Sequence, residues 1–298
     1  MDFREYQTQA KKTDQVPNKA ENGIIIPLLG LVGEAGELLS EYKKYLRDGE
    51  SHKLFKERVA EELGDLLWYI ANVSSKFDLD LEKIAESNLQ KCHDRWRSED
   101  SGMKGVYIFD HNFPKSQRLP RQFKVEFMEV IENNLLPKMK AFINGKQIGN
   151  DLTDNSYLID GYRFHDIFHF SYAAVLGWSP VFRSTFKIND VNCKRKNDLQ
   201  KDEVEDGGRA IAIEEGISAL VFSYAKDHNY LDGISAIDYQ LLKTIKNMTE
   251  HLEVSKCGLG DWQQAIIDGY NVWRQVNQHK GGRIIVDLDE RSIVYQGK

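Results

Sequence analysis

Gly33-Glu34-Ala35-Gly36-Glu37-Leu38 and, further on, Glu62-Leu63-Gly64-Asp65-Leu66-Leu67-Trp68 decide how the first third of this chain folds. In each stretch two acidic residues stand three apart, so on a helix they project from one face, one turn from each other. Two such helices side by side bring four carboxylates together: Glu34, Glu37, Glu62 and Asp65. Like charges that close repel unless cations neutralise them. Hard divalent cations with oxygen ligands are the natural solution, and magnesium keeps waters and substrate phosphates in its remaining positions. A lone ExxE is more often a solvated helix face. Here, however, Glu62 and Asp65 run directly into Leu66, Leu67 and Trp68, where a solvated face is polar, so both carboxylates are expected to point into a bundle. Ala35, Gly36 and Gly64 leave room for a helix or a ligand to approach.

Working outward, residues 2 to 12 read as a short helix, followed by Pro17, Asn22 and Gly23 and the apolar stretch Ile24 to Val32. A long helix then carries Leu31, Leu38, Leu39, Tyr42 and Tyr45 at helical spacing to about Lys44, and Asp48-Gly49 ends it. A second helix is predicted from about His52 to Lys76 and a third from about Asp80 to Trp96. From Arg97 to Pro120 the composition shifts to Gly, Pro and Ser, which gives a domain at 1–98, a linker at 99–120 and a second domain at 121–298. Helical periodicity resumes at Phe123–Phe142, Gly161–Leu176, Gly208–Lys226, Ile234–His251 and Asp261–Gln278. The charged run from Lys187 to Gly207 reads as a solvated loop. Arg283–Asp287 and Ser292–Tyr295 read as a terminal β-hairpin. The expected fold class is all-α, two helical bundles with a small C-terminal hairpin.

The chain has 298 residues, 41% hydrophobic and 29% charged, which matches two ordinary globular domains and excludes a largely disordered chain. A net charge of −6 gives no global attraction for a phosphate backbone, so no nucleic-acid partner is expected. Cys92, Cys193 and Cys257 are scattered and odd in number, which fits a reducing compartment. The N-terminus, Met1-Asp2-Phe3-Arg4-Glu5, lacks the apolar stretch of a signal peptide, and no run approaches the roughly 18 apolar residues of a membrane span. A cytoplasmic protein with no membrane partner is expected.

Glu34-x-x-Glu37 followed by Glu62-x-x-Asp65 resembles the MazG-like family of all-helical nucleotide pyrophosphohydrolases over about residues 2 to 97. The family often starts its first motif with two adjacent glutamates, where this chain has Gly33, but the four shared carboxylates are intact. The family also places Asn, Lys and Arg on the following helix, and Asn88, Lys91 and Arg95 match them. The resemblance implies magnesium-dependent hydrolysis of a nucleoside triphosphate to monophosphate and pyrophosphate, with Mn2+ as a substitute metal. Glu34 or Glu37 would orient or deprotonate water, and Lys91 and Arg95, four apart on one face, would hold outer phosphate oxygens. Tyr6 and Gln7 on the first helix would lie near the base. The family commonly builds its sites with neighbouring subunits, so a homodimer or higher oligomer is expected.

In the second half, Glu214-Glu215-Gly216-Ile217-Ser218 lies on Glu61-Glu62-Leu63-Gly64-Asp65 without a gap, and Asp166-Ile167-Phe168-His169 then falls where Glu34 to Glu37 would be. This half resembles a diverged copy of the same bundle, with Ser218 and His169 replacing carboxylates. Imidazole suits zinc, manganese or iron better than magnesium. His165 and His169, with Asp166 and Glu214 or Glu215, offer a second, transition-metal site; the alternative is that both histidines are hydrogen-bonded core residues. Two further functions stay open: a nucleotide-sensing or interaction protein with a degenerate second site, and a metallohydrolase centred on the C-terminal His/Asp/Glu cluster.

Overall fold

The computed structural model describes residues 1–17, 19–95, 108–131, 136–185 and 193–297, without the side chains of 22 and 93–95. It divides into two compact units, Met1–His93 and Asp94–Lys298.

The first unit is helical: α1 (Phe3–Lys12), α2 (Glu21–Asp48), α3 (Phe55–Lys76) and α4 (Leu81–Arg95). Asp2 caps α1 by accepting from the Glu5 amide at 2.7 Å. The long α2 and α3 form an antiparallel hairpin. Gly30 lets them approach, because a Cβ there would stand 2.2 Å from the Tyr69 ring. At the closed end of the hairpin, Tyr45 stacks on Phe55 with ring centroids 4.4 Å apart, and buried Glu41 joins Lys44 to His52. The helical stretch Gly23–Ser51 is long and apolar enough to cross a membrane by length and composition, contrary to the expectation that no run reaches that limit.

At the other end, Trp68 Nε1 donates to Thr13 Oγ1 at 2.7 Å, and buried Lys76 donates to Asp14 at 2.5 Å and to the Val16 carbonyl. Removing one partner of a buried ion pair leaves the other uncompensated and costs about 3–5 kcal/mol. Lys76→Met is therefore expected to lower the unfolding midpoint of this unit clearly, as thermal unfolding followed by circular dichroism would record. Among the described residues, the buried core cluster of this unit is Ala10, Ala71 and Leu81, with Tyr6 and Trp68 packed against it.

The second unit corrects the two-bundle expectation. A five-stranded antiparallel sheet in the order β3-β2-β1-β4-β5 is built from β1 (Gln122–Val130), β2 (Lys138–Ile143), β3 (Lys146–Leu152), β4 (Gly281–Asp287) and β5 (Ser292–Gly297). The helix expected over Phe123–Phe142 is thus two strands. Val125 and Phe127 on β1, and Met139, Ala141 and Ile143 on β2, alternate inward at period two. Asn144-Gly145 closes the next hairpin with both residues at positive φ, 52° and 74°, as a two-residue turn of that hand requires. The terminal hairpin is present as β4–β5, joined to the sheet through β1.

The helices are α5 (Asp166–Leu176), α6 (Pro180–Thr185), α7 (Gly208–Lys226), α8 (Tyr239–Met248) and α9 (Leu259–His279). α5 packs along α9, both against β4 and β5, with Ser171 Oγ donating to the Ala265 carbonyl at 2.6 Å. Every residue of α5 is buried, so it runs through the core rather than pairing with one neighbour as in a hairpin bundle.

Two further expectations change. Residues 108–120, the described part of the expected linker, are built into this unit: Leu119 is in the core, and buried Asp110 accepts from the Leu119 amide, Arg121 and Arg183. The described part of the charged run, 193–207, is not merely solvated. Arg195 is buried and its guanidinium binds Asp206, Glu253 and the Phe109 carbonyl.

Candidate functional site

Glu34 on α2 and Glu62 and Asp65 on α3 are brought together by the hairpin, each offering a carboxylate oxygen within 4.8 Å of the others. Glu37, one turn beyond Glu34, lies outside that trio but within electrostatic reach: burial, then Glu34, Glu37 and Asp65, push the Glu62 carboxyl above the ordinary range. Glu61 adds the smallest of these repulsions and is itself paired with Arg58 at 2.7 Å. Glu34 and Glu62 are half-buried, whereas Asp65 is exposed and Gly33, Gly36 and Gly64 face open space. The expectation that Glu62 and Asp65 point into a closed bundle is corrected accordingly. Within one chain the acidic cluster opens outward. The all-oxygen donor set, with mutual repulsion among carboxylates, fits a hard divalent cation.

The other expected contacts separate. Gln7 is committed to the scaffold: its amide donates to Ser75 Oγ and the Leu79 carbonyl and accepts from the Leu81 amide. Tyr6 packs on the small core beside Trp68. Asn88 is exposed on α4 with Lys91 one turn on, half-buried. Arg95 ends α4, and its side chain lies outside the described residues.

The second unit holds another cluster. His165, Asp166 and His169 are buried and offer ligand atoms within 4.8 Å of one another. His165 Nδ1 lies 2.9 Å from the Tyr162 carbonyl, and Tyr162 stacks on the His165 ring at 4.5 Å. His169 Nδ1 lies 2.8 Å from Glu214, which has no exposure and also accepts from Ser179 Oγ at 2.6 Å and the Val181 amide at 2.7 Å. Burial alone would lower the His169 pKa, but Glu214 and Glu215 outweigh it and raise it to about 10. The loop entering this site is fixed by buried Arg163, which pairs with Glu129 and Asp154, while Asp154 also accepts from the Gly161 amide. The sequence reading missed Tyr162, Arg163 and Ser179. For Ser179 a signal was present, since Ser before Pro180 is a helix start, and its Oγ accepts from the Phe182 amide.

Glu34 of α2 thus stands with Glu62 and Asp65 of α3, with Glu37 one turn away, and residues 27–98, which carry all four, match the MazG nucleotide pyrophosphohydrolase domain. Residues 104–298 match the MazG C-terminal domain, and the chain belongs to the MazG family. Gene 37 protein of Mycobacterium phage L5 is 34% identical over 96 residues, covering 30% of this chain and 84% of that protein. No solved structure matches.

Proposed function

We propose that the first unit hydrolyses nucleoside or deoxynucleoside triphosphates to monophosphate and pyrophosphate, with magnesium held by Glu34, Glu37, Glu62 and Asp65. The observation that carries this reading is the convergence of Glu34, Glu62 and Asp65 within 4.8 Å on a domain of the pyrophosphohydrolase type. Bound magnesium would supply charge neutralisation of the triphosphate and acidification of water. The chain's own part is to place four acidic groups on two braced helices and to accept a proton. Glu34, within the cluster, or Glu37, on its flank, takes that proton as water attacks phosphorus and the bond to the bridging oxygen of pyrophosphate breaks. Lys91 and Arg95 on α4 supply positive charge for the outer phosphate oxygens. Pyrophosphate release from a panel of ribo- and deoxynucleotides, with and without Mg2+, tests the reading. Tight nucleotide binding without release would replace it with a sensing role.

A second copy completes this unit in the same proposal. Ile25, Leu29, Val32, Leu39 and Leu46, with Gly36 between them, recur at alternating steps of four and three or seven along α2. Those five apolar side chains are 46–71% exposed. This is a coiled-coil seam, on the side of α2 turned away from Gly30 and the α3 contact. Fully burying one such side chain contributes about 1.5–3 kcal/mol, so covering the seam outweighs what Ala10, Ala71 and Leu81 supply as a core. A seam of one sequence pairs naturally with itself across a two-fold axis. Leu39→Glu is expected to convert a dimer to monomer in sedimentation equilibrium; an unchanged mass would remove the seam as the interface.

A further inference from the structure

We propose that the C-terminal unit contains a second metal site, for a divalent transition ion, formed by His165 Nε2, His169 Nε2, Asp166 and Glu215. Three separations carry the assignment. Glu215 Oε2 is 3.6 Å from His169 Nε2 and 3.9 Å from His165 Nε2, and Asp166 Oδ1 is 3.9 Å from His165 Nε2. Each is too long for a hydrogen bond. Four donors placed tetrahedrally at about 2.1 Å from an ion would stand about 3.4 Å apart, close to the three separations observed, and Glu215 adds the fourth donor to the trio of His165, Asp166 and His169, whose ligand atoms all lie within 4.8 Å of one another. The neighbouring His169–Glu214 pair shows what this core does when two groups simply hydrogen-bond: it closes to 2.8 Å.

An independent observation agrees. His169 Nε2 is fully buried and has no hydrogen-bond partner, an arrangement that costs free energy and that an ion taking the place of its proton would relieve. The opposite nitrogens are already fixed, His169 Nδ1 on Glu214 and His165 Nδ1 on the Tyr162 carbonyl. Outer partners of this kind hold a metal-ligating imidazole in one tautomer with the remaining nitrogen aimed at the ion. This divides the adjacent glutamates. Glu214, already accepting three hydrogen bonds, orients His169, whereas Glu215, 43% exposed, supplies the ligand and the side open to solvent. Two imidazoles with two carboxylates select Zn2+, Mn2+ or Fe2+ over Mg2+.

The test uses the full chain carrying Glu62→Gln and Asp65→Asn, which disables the first cluster and keeps the two sites distinguishable. After chelation and dialysis, Zn2+ or Co2+ is added back and bound metal is measured by mass spectrometry, with Co2+ also followed by its visible absorption. One equivalent per chain is expected, with histidine-coordinated Co2+ bands. His169→Ala is expected to abolish it. Glu215→Gln, at a position 43% exposed, is expected to weaken binding at least about tenfold. Failure of the parent chain to retain either ion would overturn the proposal, as would affinity unchanged in folded Glu215→Gln protein.

Discussion

Glu62→Gln is expected to lower pyrophosphate release by about 10²- to 10⁴-fold, the range in which a positioned acid–base or metal-binding carboxylate operates, while the fold is kept. Glu62 stands among Glu34, Glu37 and Asp65 and carries the repulsion of all three on top of its burial, which is why its carboxyl titrates above the ordinary range. An acid whose folded pKa is raised binds its proton more tightly in the folded chain than in the unfolded one. Stability therefore falls as pH rises through that window. The amide cannot ionise, so Glu62→Gln removes this cost, and the melting temperature at neutral pH is expected to stay level or rise as activity falls. Opposite movement of the two readouts separates a functional carboxylate from a structural one, whose loss lowers both. Retained turnover would move the chemistry away from this cluster. Asp65→Asn is expected to behave alike in activity.

The largest stability effect is expected in the second unit, from Arg195→Met. Arg195 is buried, and its guanidinium holds Asp206, which has no exposure, together with Glu253 and the Phe109 carbonyl. Taking away the cation leaves Asp206 with the backbone amide of residue 195 at 2.6 Å and Arg183 at 3.6 Å, and leaves Glu253 without its Arg195 contact. Breaking a buried pair costs about 3–5 kcal/mol. Urea unfolding followed by tryptophan fluorescence reports it, since Trp178, Trp262 and Trp273 all lie in this core. A midpoint within error of the parent would show the network to be dispensable. The neighbouring Asp110 sets a pH limit on the same region. Burial alone would raise its carboxyl, but Arg121 and Arg183 hold it below the ordinary value. Its contribution is therefore present above the usual carboxylate pKa and is lost as pH falls through the depressed folded value.

The helical hairpin was legible because its information is local. An i, i+3 pair of carboxylates becomes one face of a helix by backbone geometry alone, whatever packs around it. The strand pair at β1–β2 was misread for an equally definite reason. Phe123, Phe127, Val130 and Ile131 satisfy a helical repeat, while Phe123, Val125 and Phe127 satisfy alternation, so the short apolar run fits both periods. Asn144-Gly145 decides between them, being the turn that a hairpin demands. The charged run misled because charge density near a loop reads as solvation. Arg195 and Asp206, eleven residues apart, are buried by partners that come from elsewhere in the chain.

At the second cluster the sequence supplied the residue types and the helical spacing of His165 and His169, but offered Glu214 and Glu215 as equals. Successive residues on a helix point about 100° apart, and only the packing of α7 against α5 and α6 determines which one is inward. Glu214 turns to Ser179, Val181 and His169 Nδ1, and Glu215 to the two Nε2 atoms. The sequence by itself determined the helices α2 and α3 and the i, i+3 spacing of the acidic pairs they carry, because spacing along a helix is a local property. Tertiary structure decided the sheet, the buried charge network and the division of labour between Glu214 and Glu215, because burial and hydrogen bonding are set by residues distant in the chain.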